Sequence, residues 1–145
     1  MPTAAEQAFK QADLYTDGER YRFVRLPVQG ATVAAGILAE VGTPFMAVLL
    51  DKDELTMMLE ADAYDAYSKR LLDHTASETP YRLLTFDLEL EPTLTGFMAL
   101  VSGILADAGI SIMPFAAYSR DHLFIPEDQF EQALNVLRTQ QATIA

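Results

Sequence analysis

The sequence lacks several residues on which common catalytic and metal sites depend. It contains no cysteine, which excludes a disulfide framework, a thiolate metal site and a thiol nucleophile. Histidine occurs only at His74 and His122, and the sequence has no GxSxG, HExxH or phosphate-loop motif. We therefore expect a protein that is not an enzyme and holds no metal or cofactor. A carboxylate-only enzyme is the remaining catalytic alternative, and no motif favours it.

Positive charge is also scarce. Lys and Arg total 10 against 21 Asp and Glu, giving a net charge of −11. Because Lys and Arg neutralise phosphates, we expect neither a nucleic acid nor an anionic membrane as partner. The most apolar window, residues 97–110, is too short to cross a bilayer, and the first residues show no signal-peptide pattern. A soluble cytoplasmic protein is the default expectation.

What the sequence does contain is an internal repeat. GILAEVG at residues 36–42 returns as GILADAG at residues 103–109, and the following residues echo as well. Upstream, YRFV at residues 21–24 matches YRLL at residues 81–84, and these two segments are closer together in the sequence than the GILAEVG and GILADAG segments are. The second copy therefore carries extra residues between its first strand and its helix. A repeat of this size indicates one supersecondary unit used twice.

Each copy is predicted to form strand, helix, strand, strand, helix. The second copy shows an alternating strand and then a helix with one apolar stripe. The predicted elements are residues 21–26, 32–41, 44–50, 55–59 and 62–73 in the first copy, with Asp62 as N-cap, and residues 81–90, 97–108, 111–117, 122–125 and from 126 onward in the second.

Both copies are predicted to lack a final strand. Unpaired sheet edges are a liability that proteins avoid. We therefore predict that residues 13–16 form a strand that pairs with the second copy.

The stretch AGISIMPFAAYSRDHLFIPEDQFEQAL, residues 108–134, resembles the ACT domains of the arginine-sensor (CASTOR-like) type. PFMAVLLDKDELTMMLE, residues 44–60, resembles the half-unit that precedes them, so the similarity covers about residues 20–142. The resemblance implies an α+β fold of two ferredoxin-like ACT units (βαββαβ-type) in tandem, with antiparallel sheets and helices on one face. The expected division is residues 1–78, an N-terminal segment with the first unit, and residues 79–145, the second ACT domain.

The resemblance also implies a regulatory protein without catalytic activity. Such domains bind an amino acid or similar small molecule at an ACT–ACT interface, here in a homodimer. Leu94 stands where the arginine sensors carry an acid, so arginine itself is not implied. The ligand-binding positions that it implies are Thr93, Thr95, Gly96, Ser111, Ile112, Ala117, Tyr118 and Asp121.

Each of these signals has an alternative reading. Asp121 could hold a ligand's cationic group, or it could only close a hairpin turn or pair with Arg120. Residues 51–54 could form a second, degenerate effector position or a simple turn. Asp87, Glu89 and Glu91 could bind a cation but fit a solvated sheet face better. A scaffold that has lost its ligand and serves as a dimerisation or protein-interaction module is the alternative function.

Overall fold

The computed structural model describes residues 1–42 and 44–145. By compactness the chain divides into two units, a terminal unit of Met1–Thr16 with Arg82–Ala145 and a central unit of Asp17–Tyr81. The central unit holds the first copy of the repeat, and the terminal unit holds the second copy. This division differs from the linear one after residue 78, because the N-terminal residues join the second copy.

Helices alternate with pairs of strands along the chain, and short 3-10 turns precede or follow some of the α-helices. In chain order they are α1 (Ala4–Gln11), β1 (Asp13–Tyr15), β2 (Arg20–Leu26), α2 (Ala31–Val41), β3 (Ala47–Leu50), β4 (Leu55–Glu60), α3 (Ala61–Tyr67), β5 (Thr75–Ala76), β6 (Tyr81–Asp87), α4 (Phe97–Asp107), β7 (Met113–Ala116), β8 (Asp121–Pro126) and α5 (Phe130–Thr143).

The central unit is an antiparallel sheet in the order β5-β2-β4-β3. β2 pairs with β4 from Tyr21 opposite Glu60 to Leu26 opposite Leu55. β5 pairs with the other side of β2. The prediction that the first copy lacks a final strand is therefore wrong, because a strand of two residues is too short to show any alternation.

The terminal unit has the equivalent strand order, β1-β6-β8-β7. β1 pairs antiparallel with β6, with Asp13 opposite Asp87 and Tyr15 opposite Thr85. The predicted pairing of residues 13–16 with the second copy is confirmed. In the central unit the order is last, first, third and second strand; in the terminal unit the N-terminal β1 takes the place of the last strand. The fold is therefore α+β and ferredoxin-like.

In each unit the helices pack on one sheet face and bury an apolar core. In the terminal unit, alternate residues of β6 and β8 point toward α1, α4 and α5, as the alternation in the sequence predicts. In the central unit, alternate residues of β2 and β4 pack against α2 and α3. The largest fully buried side chains include Phe9, Phe86, Phe130, Leu26, Ile37, Leu55, Met57 and Leu59.

Several boundaries differ from the predicted ones. β6 ends at Asp87 rather than at residue 90, which lengthens the loop before α4. Glu60, not Asp62, is the N-cap of α3, since its carboxylate accepts a hydrogen bond from the Ala63 N–H at 3.1 Å. Every helix in residues 1–42 and 44–145 is too short or too polar to span a lipid bilayer.

Candidate functional site

The terminal unit contains a pocket of about 310 Å³ between two of its loops. One wall is the long connection from β6 to α4, and the other is the tight turn between β7 and β8. The lining residues are Leu90, Glu91, Pro92, Leu94, Gly96, Phe97, Met98, Ala99, Ala117, Tyr118, Ser119, Arg120 and Asp121.

Two contacts tie the walls of this pocket together. The Leu90 N–H donates to the Ser119 carbonyl at 2.7 Å, which joins the two loops through their backbones. The Arg120 Nε donates to an Asp87 carboxylate oxygen at 3.0 Å, and both side chains are about half exposed. An exposed ion pair adds little stability, so its main consequence is geometric. It holds the turn against the end of β6.

The first turn of α4 forms part of the pocket. Gly96, the N-cap, has φ 86° and ψ −1°, a left-handed conformation that glycine adopts without strain. No side chain caps this helix, and in the described part of the chain the Phe97, Met98 and Ala99 N–H groups have no protein acceptor. Together with the helix dipole, these groups make the start of α4 suited to an anion.

Asp121 brings an opposite charge to the same pocket. It begins β8, opposite Ala116, and its carboxyl is partly buried. Loss of solvation raises the pKa of this carboxyl above its ordinary value, and nearby His122 partly opposes the rise. Within residues 1–42 and 44–145 the Asp121 carboxylate accepts no hydrogen bond and forms no ion pair with a Lys or Arg.

The simpler readings of Asp121 are not what the structure shows. Arg120 pairs with Asp87 rather than with Asp121. The hairpin closes through the backbone, where the Ala117 N–H donates to the Arg120 carbonyl at 3.0 Å. The Asp121 carboxylate is thus a charged acceptor that the fold itself does not use.

His122, the neighbour of Asp121, is a packed residue. Its Nδ1 lies 2.8 Å from the Thr85 hydroxyl. Burial lowers the pKa of His122, Asp121 opposes this change, and Arg120 adds to it. A half-buried imidazole that is hydrogen-bonded in this way fits a structural role.

The predicted site residues fall into two groups. The structure brings together four of them in the pocket, namely Gly96, Ala117, Tyr118 and Asp121. Thr93 and Thr95 lie on the same long loop but are exposed and do not line the pocket.

Ser111 and Ile112 do not line the pocket either. The Ser111 N–H donates to the Gln129 side chain at 3.2 Å, and Ile112 packs against the core of the unit. The backbone N–H groups that are open to the pocket belong to the start of α4. Gly96 directly before an apolar helix was the signal in the sequence for that position.

Asp87, Glu89 and Glu91 do not share a strand face, because β6 ends at Asp87 and both glutamates lie in the loop that follows. No group of three or more His, Asp or Glu side chains within residues 1–42 and 44–145 is arranged to hold a metal ion. Asp87 is engaged by Arg120, as described above.

The central unit has a pocket at the corresponding place, of about 330 Å³, lined by Arg25, Leu26, Pro27, Asp53, Glu54 and Asp73. Its chemistry differs. The position that corresponds to Asp121 is Leu55, which begins β4 opposite the last residue of β3 and is 1 % exposed.

Comparisons with known proteins agree with the fold. None of the curated proteins matches the sequence. Among solved structures, a Vibrio cholerae protein of unknown function, described as a possible transport protein, shares 24 % identity over 94 % of both chains, with a TM-score of 0.69. The aspartokinase α and β subunits share 16 % identity over 88 % of this chain and 95 % of that chain, with a TM-score of 0.68.

The regulatory subunit of aspartate kinase from Thermus flavus shares 16 % identity over 88 % of this chain and 95 % of its own, with a TM-score of 0.64. At these identities the similarity establishes the fold. The family model of the ACT domain matches residues 76–139, which span the second copy of the repeat. Residues 76–139 are therefore similar to an ACT domain, and the fold of the chain is of the α+β type found in the matched structures.

Proposed function

We propose that this chain is a regulatory protein without catalytic activity that binds a free amino acid, or a molecule with the same charged groups, in the pocket of the terminal unit. One observation carries the proposal. The uncapped start of α4 and the unpaired Asp121 carboxylate line the same pocket. An α-amino acid presents a carboxylate for the first and an ammonium for the second.

The comparisons support a regulatory role. The pocket lies within the residues that are similar to an ACT domain, and the Thermus flavus protein of similar fold is the regulatory subunit of an aspartate kinase. The proposal has two further parts. The first is that the first copy of the repeat is a second ACT domain in tandem, and the second is that the chain is of the arginine-sensor type. The shared strand order of the two units supports the first part.

The ligand would act by linking two loops. Its carboxylate would accept hydrogen bonds from the start of α4, and its ammonium would lie against Asp121 at the start of β8. A molecule that holds both loops stabilises the arrangement that binds it, and this shifts the population toward that arrangement. A partner protein that distinguishes the two arrangements would then read the ligand concentration.

The resemblance places the ligand at an interface between two ACT domains of a homodimer, and this is part of the proposal. Tyr118, at the tip of the β7–β8 turn, is 92 % exposed and lies at the rim of the pocket. A large aromatic ring in that position offers a contact to a second domain.

A thermal-shift panel of the twenty amino acids tests the proposal. A ligand at about 100 times its Kd adds about 2.7 kcal/mol of stability, which moves the unfolding midpoint by several degrees. We expect one class of amino acid to produce this shift and Asp121→Ala to abolish it. Glu54→Ala, at the corresponding turn of the central unit, is the matched control and should leave the shift unchanged.

A panel without any shift, on a chain that forms a stable dimer, would overturn ligand binding. It would favour the alternative of a ligand-free ACT scaffold used for dimerisation or protein interaction. One observation favours that alternative independently. Leu49 and Leu50, on an outer strand of the central unit, are 51 % and 60 % exposed.

A further inference from the structure

The central unit has a further pocket, of about 320 Å³, beside the one already described for that unit. Its lining comes from the end of β2, the connection to α2 and residues 70–73. Leu26 and Leu71, which belong to the core, are buried, whereas Val33 and Leu72 are exposed, Leu72 by 76 %. We call it the apolar pocket. It has the size of a small-ligand site and leaves apolar side chains open to an occupant.

Asp73 lies at one side of the apolar pocket. It also lines the neighbouring pocket of the central unit, so it stands at the boundary between the two. Its φ is 58°, and among residues 1–42 and 44–145 it is the one residue other than glycine in the left-handed region. Residues held in this region are enriched at ligand sites, and aspartate tolerates it better than most residues do. The backbone conformation therefore singles out Asp73 as a candidate ligand contact.

The other charged side chains that line these two pockets have partners. The pairs are Arg70 with Glu40 at 3.3 Å, Arg25 with Glu54 at 4.0 Å, and Asp53 with Lys52 at 2.7 Å. In the part of the chain that the structure describes, the Asp73 carboxylate accepts no hydrogen bond and forms no ion pair. The unpaired charge of the two pockets is therefore one carboxylate, which favours a cation and disfavours an anion.

The start of α2 offers less to a carboxylate than the start of α4 does. The Gly30 N–H donates to the Pro27 carbonyl at 2.9 Å, and the Ala31 N–H donates to the Val28 carbonyl. These donors are therefore used within the chain. An amino acid that entered the apolar pocket would find an acceptor for its ammonium but fewer open donors for its carboxylate than in the pocket of the terminal unit.

We propose that the apolar pocket binds an apolar amine, a small molecule with an alkyl body and one protonated amino group and without a carboxylate. The alkyl body packs against Leu26, Val33, Leu71 and Leu72, and the ammonium lies beside Asp73. Burial of the alkyl body supplies most of the affinity, because Asp73 is exposed and an exposed ion pair adds little. The ammonium selects among molecules of similar shape. This site differs from the proposed amino-acid site in its place and in the chemistry of its ligand.

Calorimetric titration with three six-carbon probes tests the choice of head group. Hexylamine is a cation at neutral pH, hexanol is neutral and hexanoate is an anion. We expect hexylamine to bind, hexanol to bind about three- to fivefold more weakly, and hexanoate to show no binding. From propylamine to hexylamine the affinity should rise about three- to fourfold per methylene, the usual increment for a buried methylene. Asp121→Ala, which removes the acceptor of the terminal unit, should bind hexylamine as the wild type does.

Two substitutions test the role of Asp73. Asp73→Asn removes the charge and keeps a residue that tolerates the left-handed conformation. It should weaken hexylamine binding about three- to fivefold and leave hexanol binding unchanged. Asp65→Asn, the matched control, removes an exposed carboxylate of the same unit that lines neither pocket, and should leave both affinities unchanged.

Methyl NMR locates the bound probe. Hexylamine should shift the methyl signals of Val33 and Leu72 and leave those of Leu94, in the pocket of the terminal unit, in place. Shifts confined to Leu94 would place the amine at the other pocket and overturn the proposal. Three further results would also overturn it: no binding of hexylamine at millimolar concentration, hexanol or hexanoate binding as tightly as hexylamine, or equal hexylamine affinities in the Asp73→Asn and Asp65→Asn chains.

Discussion

The two units use the same strand order but connect their first strand to their first helix differently. In the central unit β2 passes through Pro27 and a 3-10 turn, Val28–Gly30, directly into α2. In the terminal unit a long loop, residues 88–96, separates β6 from α4. The same strand order thus occurs with a short connection in the central unit and with a long loop, residues 88–96, in the terminal unit. The candidate site is built from that long loop.

The two connections leave different backbone groups open. In the central unit the Gly30 N–H donates to the Pro27 carbonyl at 2.9 Å, and the Ala31 N–H donates to the Val28 carbonyl. The 3-10 turn therefore satisfies donors at the start of α2 internally. The loop before α4 has its hydrogen-bonded turn earlier, where the Leu94 N–H donates to the Glu91 carbonyl at 3.0 Å, and the N–H groups of the first turn of α4 stay open to the pocket. Whether the N–H groups at the start of a helix have acceptors therefore depends on the segment that precedes the helix.

The largest expected effect comes from the residue that anchors the elaborated loop. Phe97 begins α4, is 4 % exposed, and packs edge-on against Phe86 with ring centroids 5.3 Å apart. Phe97→Ala should lower the free energy of unfolding by about 3–5 kcal/mol, the usual cost of removing a buried ring. Thermal or denaturant unfolding measures it. α2 begins with the small residue Ala31 instead of a buried ring, so an effect below about 1 kcal/mol would show that the two connections do not differ in how they are held.

The glycines that precede the two helices give the next effect. Gly96 has φ 86°, whereas Gly30 has φ −78°. Gly96→Ala should lower the free energy of unfolding by about 1–2 kcal/mol, because a side chain is strained in the left-handed region. Gly30→Ala is the matched control. A Cβ there would lie 3.5 Å from Leu26, an ordinary contact, so we expect no loss or a gain of about 0.4–1 kcal/mol. Equal losses in both variants would contradict the difference between the two connections.

The periodic parts of this molecule could be predicted from the sequence. The apolar stripe correctly predicted the start of α4, and the expectation of an unpaired edge in the second copy correctly predicted that β1 pairs with β6. β5 was missed because Thr75–Ala76 is too short to show a pattern. The N-cap of α3 was placed on the wrong acid because Glu60 and Asp62 are both suitable acceptors near that start.

The candidate site was only partly predictable, for a physical reason. Its walls meet through contacts between residues far apart in the chain, such as Arg120 with Asp87. No local pattern encodes which side chain of a turn will pair with a distant strand end. The family resemblance likewise pointed to Ser111 and Ile112 from their positions in the sequence. The backbone N–H groups that are open to the pocket belong to the start of α4.

The smallest expected effect concerns Asp121 and Leu55, the corresponding residues of the two units. Burial holds the pKa of Asp121 above its ordinary value, so the folded state binds the proton more tightly than the unfolded state does. The stability of the wild-type chain should therefore decline as pH rises from below the ordinary carboxyl pKa through the raised one. Asp121→Asn removes this decline. In acid the free energy of unfolding of the variant should equal that of the wild type, and at neutral pH it should be higher by about 0.5 kcal/mol, the scale of a partly exposed substitution.

Proton NMR gives an independent readout, since Asp121 opposes the lowering of the His122 pKa and its loss should move that pKa further down. His74, the other histidine, is the internal control. The expectation would be contradicted if the His122 pKa did not change in the variant and the stability difference did not depend on pH. Asp121 would then be solvated like any surface carboxylate, and the terminal unit would not hold a desolvated acceptor where the central unit has Leu55.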